Sequence, residues 1–254
     1  MRQLRTLIGY EYLQCVISPF FYNVGALFIL LMGLVFFFSL KVYADFPQDE
    51  PFIQTIFKCF WLPSLLIIPI LTTRAVAFER SAGYLNSTLV LPINSLWIIL
   101  SKFIAIYTFY TGLWLLVCFF PEGAQRLCRS LKSVDDFIEI PVRWGGFFFL
   151  ALVNALLISF GLLCSTLARH PLTAIASSAA GTFIFLISGQ IFKYLSVTSL
   201  QHGDLFDTIY GNWNVFFQLE DFCRAIFDTR IIVGYISLTS ACLLFSALML
   251  RRRA

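Results

Sequence analysis

The sequence predicts an all-α integral membrane protein with six transmembrane helices, and three observations lead there. Of its 254 residues, 59% are hydrophobic and only 13% are charged, against about 25% charged in an average soluble domain. The mean hydropathy is +0.83, too apolar for one water-soluble core, so lipid must serve as the solvent. Uncharged runs approaching or exceeding the length of a membrane helix, about 20 residues, recur along the whole chain. These features exclude a soluble enzyme, a disordered regulator and a nucleic-acid-binding module. The net charge of +4 suits basic ends beside a membrane and does not point to nucleic acid.

Residues 2–17 precede the first run. Leu4, Leu7, Ile8, Tyr12 and Cys15 recur there at helical spacing, with Arg2, Arg5 and Gln14 elsewhere on the wheel, which predicts an interfacial helix. Spans are expected at 19–40, about 57–74, 103–121, 144–168, 172–192 and 231–250. The first run is too long for a signal h-region and lacks a small-residue cleavage site after it. The second is short, and Lys58 and Arg74 can snorkel from its ends. Apart from Lys58 and Arg74 at the ends of the second, no Asp, Glu, Lys, Arg or His lies within a span so drawn. Residues 81–101 are uncharged too, but nine of them are Ser, Gly, Asn, Thr or Pro. Such groups need partners in lipid, and Pro92-Ile93-Asn94-Ser95 reads as a turn. This stretch is expected to be membrane-peripheral.

Two amphipathic segments stand out between the spans. Phe78, Ala82, Leu85 and Leu89 share one helical face until Pro92 closes the segment. Glu79 and Arg80 are expected at the start of that helix, where the acid suits the positive end of the dipole. The segment has the shape of a docking element; the alternative is a helix resting on headgroups. In the last outer loop, Phe216, Leu219, Phe222, Cys223, Ile226 and Phe227 form a second stripe, expected to lie flat over the outer mouth. Cys128 and Cys223 fall in outer loops and could pair or stay free. The loop 122–143 suggests no role.

Polar residues inside the spans, among them Asn23, Thr111, Asn154, Ser159, Ser165, Ser178 and Gln190, read as interhelical contacts or as pathway lining. The run Ser177-Ser178-Ala179-Ala180-Gly181 gives span five a small face for close packing, with Ser177 and Gly181 at its limits. With both termini inside, nine of the 18 basic residues fall on each side, and twelve of the 14 acidic ones fall outside. The inside segments are the shorter ones, so the basic bias favours cytoplasmic termini, in a bacterial cytoplasmic membrane.

The absences narrow the function. No GxxxxGK[ST] loop is present, so the chain lacks the usual nest for ATP phosphates and is expected not to act as an enzyme by itself. Ion-coupled transporters place ionisable residues at mid-membrane, and the spans as drawn have none. His170 and His202 fall on opposite sides, which assembles neither a metal site nor an intramembrane dyad.

Four stretches resemble the ABC-2 type permeases, most closely the gliding-motility-associated ABC transporter permease subunit and the copper-enzyme maturation permeases. They are Glu11 with Ser18-Pro19-Phe20-Phe21-Tyr22; Thr73-Arg74 through Glu79-Arg80-Ser81-Ala82-Gly83 to Leu91-Pro92; Gly161-Leu162-Leu163-Cys164-Ser165-Thr166-Leu167; and residues 217–253 with Asp228-Thr229-Arg230. The chain departs from the family pattern at Tyr84, where a threonine follows the glycine, and at Asn86, where a glutamate is usual.

The resemblance implies one ABC-2 type transmembrane domain over residues 1–254, acting as the permease half of an exporter. It implies a cytoplasmic ABC ATPase subunit that binds the ATP, no cofactor or metal on this chain, and a second permease copy or related permease beside it. The segment 79–91 would then be the coupling helix, with Phe78, Glu79, Arg80, Ala82, Gly83, Leu85, Leu89 and Pro92 meeting the ATPase. Ser177 and Gly181 would pack the dimer. A non-transporting membrane scaffold of a motility or maturation assembly is the alternative.

Overall fold

The computed structural model describes residues 2–45, 51–81, 95–122, 140–198 and 214–252. Among these the regular structure is helical throughout. Six stretches are long and apolar enough to cross a membrane: Pro19–Val42, Trp61–Ser81, Ser95–Glu122, Val142–Leu167, Pro171–Gly189 and Thr229–Arg251. The protein is thus an all-α membrane protein with six spans.

The helices are α1 (Arg2–Ile17), α2 (Pro19–Asp45), α3 (Phe52–Lys58), α4 (Trp61–Thr73), α5 (Ser95–Cys118), α6 (Ile140–Leu167), α7 (Pro171–Thr198), α8 (Val215–Cys223) and α9 (Thr229–Arg252). After Thr73 the second span continues through a π-helical turn, Arg74–Phe78, and a last α turn, Glu79–Ser81. The central helix is α6, which packs against α9, α4, α5, α7 and α8. Phe149, Leu150, Val153, Leu157, Ile158 and Leu162 are all buried on it. They spread around more than one face, as they must on a helix enclosed by others.

Two expected boundaries are corrected. The second span starts at Trp61 after the separate short helix α3, and it runs on to Ser81. The third starts at Ser95 instead of 103, so 95–101 are not peripheral. Leu96, Trp97, Ile98, Ile99 and Leu100 are apolar and prolong the helix, and Lys102 does not end it because two carboxylates face it. As a result Glu79, Arg80 and Lys102 join Arg74 in helices that qualify as spans, contrary to the expectation of spans free of charge apart from Lys58 and Arg74.

The helix expected at the amino end is present as α1, packed along α5. Leu7, Ile8, Tyr12 and Cys15 are half-buried on its inner side, while Tyr10, Leu13 and Ile17 are exposed. The Tyr12 hydroxyl donates to Thr108 Oγ1 of α5. Glu11 shares that inner side with the apolar residues, which places a carboxylate against the third span.

Helix α8 is shorter and more deeply set than a flat lid. Asn214 caps it, its Oδ1 accepting from the Phe216 N–H at 3.0 Å and the Phe217 N–H at 3.4 Å. Ala225, left-handed at φ 60, ends it: the Ala225 N–H bonds to Phe222 O and the Ile226 N–H to Asp221 O, the paired closure of a Schellman motif. Leu219 and Phe222 are fully buried and Phe216 packs on the core. Phe227 lies beyond the helix and is half exposed, its ring 5.4 Å from that of Phe222.

Glycines let α8 sink in. A Cβ at Gly145 would stand 2.1 Å from Phe222 O, and one at Gly146 would stand 2.4 Å from the Phe57 ring. At the other end of α8, a Cβ at Gly189 would meet Asn214 Cα at 2.8 Å. Cys223, expected in a loop, is a buried free thiol on the inner face of α8. Burial pushes it up to about 12, with Lys58 opposing and Glu220 adding. Cys128 lies outside the described residues.

The small face of span five is also partly reassigned. Gly181 faces this chain's own α6: a Cβ there would strike the Phe160 ring at 2.2 Å. Ser178 and Thr182 are buried on the same side. Ser177 is exposed, bonding back to Ala174 O.

Candidate functional site

Three helices meet around Lys102. Its ammonium lies 3.0 Å from Glu11 Oε1 on α1 and 2.7 Å from Glu79 Oε1 at the end of the second span. The lysine itself is 4% exposed. A buried charge is tolerated only when paired and hydrogen-bonded, and here two carboxylates share one ammonium. The three residues also line a cavity of about 420 Å³ with Gln14, Ser18 and Arg74.

The π-helical turn positions Glu79 for this contact. A π turn inserts one extra residue into the helical repeat and disrupts one i to i−4 bond. The Ala77 N–H donates instead to Ser165 Oγ of α6, at 3.0 Å. That bond ties the irregular turn to the central helix. Arg74, which opens the turn, donates to Ser18 Oγ at 3.0 Å, and its guanidinium sits 4.1 Å from the centre of the Phe20 ring. It therefore joins spans one and two.

Arg80 points the other way, to the end of span four. Its Nη1 donates to Thr166 O and Ala168 O, both at 3.1 Å. Those carbonyls close a helix C-terminus, where a cation is favoured. Together Arg74, Glu79 and Arg80 fasten the end of the second span to α1, α2, α5 and α6.

Of the residues expected to meet an ATPase, Phe78, Glu79 and Arg80 fall here. They end the helix of the second span instead of starting a separate one, so the dipole argument made for Glu79 does not apply. Glu79 and Arg80 are both engaged inside this chain, whereas Phe78 is exposed. Ala82, Gly83, Leu85, Leu89 and Pro92 lie outside the described residues. Sequence reasoning missed Lys102, drawn one residue outside a span, and the pairing of Glu11 with it. The uninterrupted apolar run 96–100 was the available signal that the helix continues to Lys102.

These groups are arranged to hold. Their donors and acceptors face each other, and the thiol beside them is quiet: burial pushes Cys15 up to about 11, with the Glu11 charge adding and Lys102 opposing. Among the described residues no three His, Cys, Asp or Glu side chains gather as a metal site. The sequence matches no family model and no curated protein, so what this site does is argued from its residues.

Proposed function

We propose that the chain is the membrane-spanning permease subunit of an ABC-2 type exporter, driven by a separate ATP-binding subunit and facing a second permease. In this reading the termini and residues 82–94 lie on the cytoplasmic side of a bacterial inner membrane. One observation carries it: the helix end from which 82–94 depart is fastened at once to α1 and to spans one, three and four. A subunit pushing on 82–94 would act on a braced lever and move several spans together. A helix that merely rested on headgroups would have no use for such bracing.

The test is Leu85→Asp. The tagged chain is purified from its native membranes, the co-purifying ATP-binding subunit is identified, and ATP hydrolysis is measured with and without the chain. An anchor at a docked face is typically worth more than about 1 kcal/mol, and a charge forced into the contact worsens it. Association and stimulated hydrolysis should fall at least about tenfold, with insertion unchanged because the substitution lies outside every span. Wild-type levels of both would overturn the docking assignment.

A further inference from the structure

Far from the charged knot, a second cavity of about 300 Å³ opens where α6, α7, α8 and α9 meet. Its walls are apolar, supplied by Leu156 of α6, Phe185 of α7, and Ile231 and Leu238 of α9. Its one buried polar pair is closed on itself, the Tyr235 hydroxyl donating to Gln218 Oε1 at 2.9 Å. At the end nearest α8 stands Arg230, exposed and without an ion-pair partner among the described residues. The carboxylate two residues before it is turned to the backbone, Asp228 Oδ1 accepting the N–H of Arg230 at 2.9 Å.

The shape of the cavity is as informative as its charge. Arg230, Ile231, Gly234, Tyr235 and Leu238 lie along one face of α9, so the cavity follows that helix for about 12 Å. At its middle Gly234 leaves room unfilled: a Cβ built there would find nothing within 4 Å. The volume sits at the lower limit of ligand pockets, roughly 300–1,000 Å³. It suits one chain and not the two of a bilayer lipid.

We infer that this cavity binds a single-chain anionic amphiphile, a long-chain carboxylate drawn from the surrounding bilayer, with its chain along Gly234 and its head on Arg230. Apolar walls take the chain without desolvating any unpaired polar group. A guanidinium engages a carboxylate with two parallel N–H donors, which an alcohol head cannot match. The inference is independent of the transporter reading.

The experiment uses the full-length protein, delipidated in a neutral detergent, with equilibrium binding of radiolabelled dodecanoate and, in parallel, of dodecanol. Wild type should bind dodecanoate at least about tenfold more tightly than dodecanol. Arg230→Gln should remove that preference while leaving dodecanol binding as it was. Gly234→Leu, which puts a side chain into the open space, should weaken both at least about tenfold with no loss of thermal stability. Equal binding of the two probes by wild type would overturn the anionic assignment, and undiminished binding by Gly234→Leu would place the chain elsewhere. If phosphatidylglycerol supplied in nanodiscs displaces the labelled dodecanoate at a far lower concentration than unlabelled dodecanoate does, the occupant is a bilayer lipid and the single-chain assignment fails.

Discussion

At one end of the bundle, cohesion comes from Lys102 held between Glu11 and Glu79 and from Arg80 on the last carbonyls of α6. At the other end it comes from rings. Phe222 of α8 lies 5.0 Å from Phe149, which lies 5.9 Å from Tyr235, and Phe60 lies 5.7 Å from Phe216. Charge pairs occur at that end too, but among the described residues none gathers two carboxylates on one buried ammonium: Lys58 pairs with Glu220 at 2.8 Å with both side chains more than a quarter exposed, and Arg143 pairs with Glu122 alone. Charge pairs are directional, and removing one partner strands the other in a place it cannot be solvated. Ring packing is proportional to area and volume, and it tolerates exchange of one apolar side chain for another. One end should therefore fail abruptly and the other by degrees.

The most severe break of this contrast is Lys102→Met, which leaves Glu11 and Glu79 without the ammonium that pairs with both, the Arg74 charge still acting on Glu79. It should cost about 3–5 kcal/mol, read as a drop in the thermal unfolding temperature in detergent. Adding Glu79→Gln should recover part of the loss. If Lys102→Met unfolds with wild type, the charged end owes nothing to this network. At the ring end, Phe222→Leu keeps an apolar side chain in the slot but gives up volume, and should cost about 1–2 kcal/mol. A loss as large as that of Lys102→Met would erase the distinction between the two ends. The mildest probe is Ala225→Gly, which relieves a left-handed alanine at the end of α8. It should stabilise by about 1 kcal/mol, and a lower unfolding temperature would show that Ala225 is not strained.

The spans were legible because lipid imposes a rule the sequence must obey, about 20 apolar residues with backbone groups satisfied internally. All six uncharged runs correspond to helices long enough to cross. The charged knot was not legible for the reverse reason. A rule that ends spans at charges cannot see Lys102 inside one, because its neutralising partners come from residues far away in the chain. Glu11 was visible as a residue on a helix, but only the fold turns its side of that helix toward α5. Gly181 illustrates a further limit: a small face announces close packing, and the sequence does not say which helix fills it. In α8 the stripe was legible at Phe216, Leu219 and Phe222. Its depth was set elsewhere, by Gly145, Gly146 and Gly189, which only the packing connects to it.

The π-helical turn at Arg74–Phe78 takes up one residue of the second span's length without passing its rotation on. Each helical residue advances the chain by about 1.5 Å and rotates it by about 100°. One surplus residue in the turn therefore acts as an angular shim, setting the bearing of everything after it. Regular α-helix over the same number of residues would carry that surplus rotation into everything beyond the turn. It would swing Glu79 away from Lys102 and Arg80 away from the α6 carbonyls by more than a quarter of a revolution, about 100°, and deleting one residue between 74 and 78 would bring both back. The charged knot is thus keyed to a count of residues as well as to their identity.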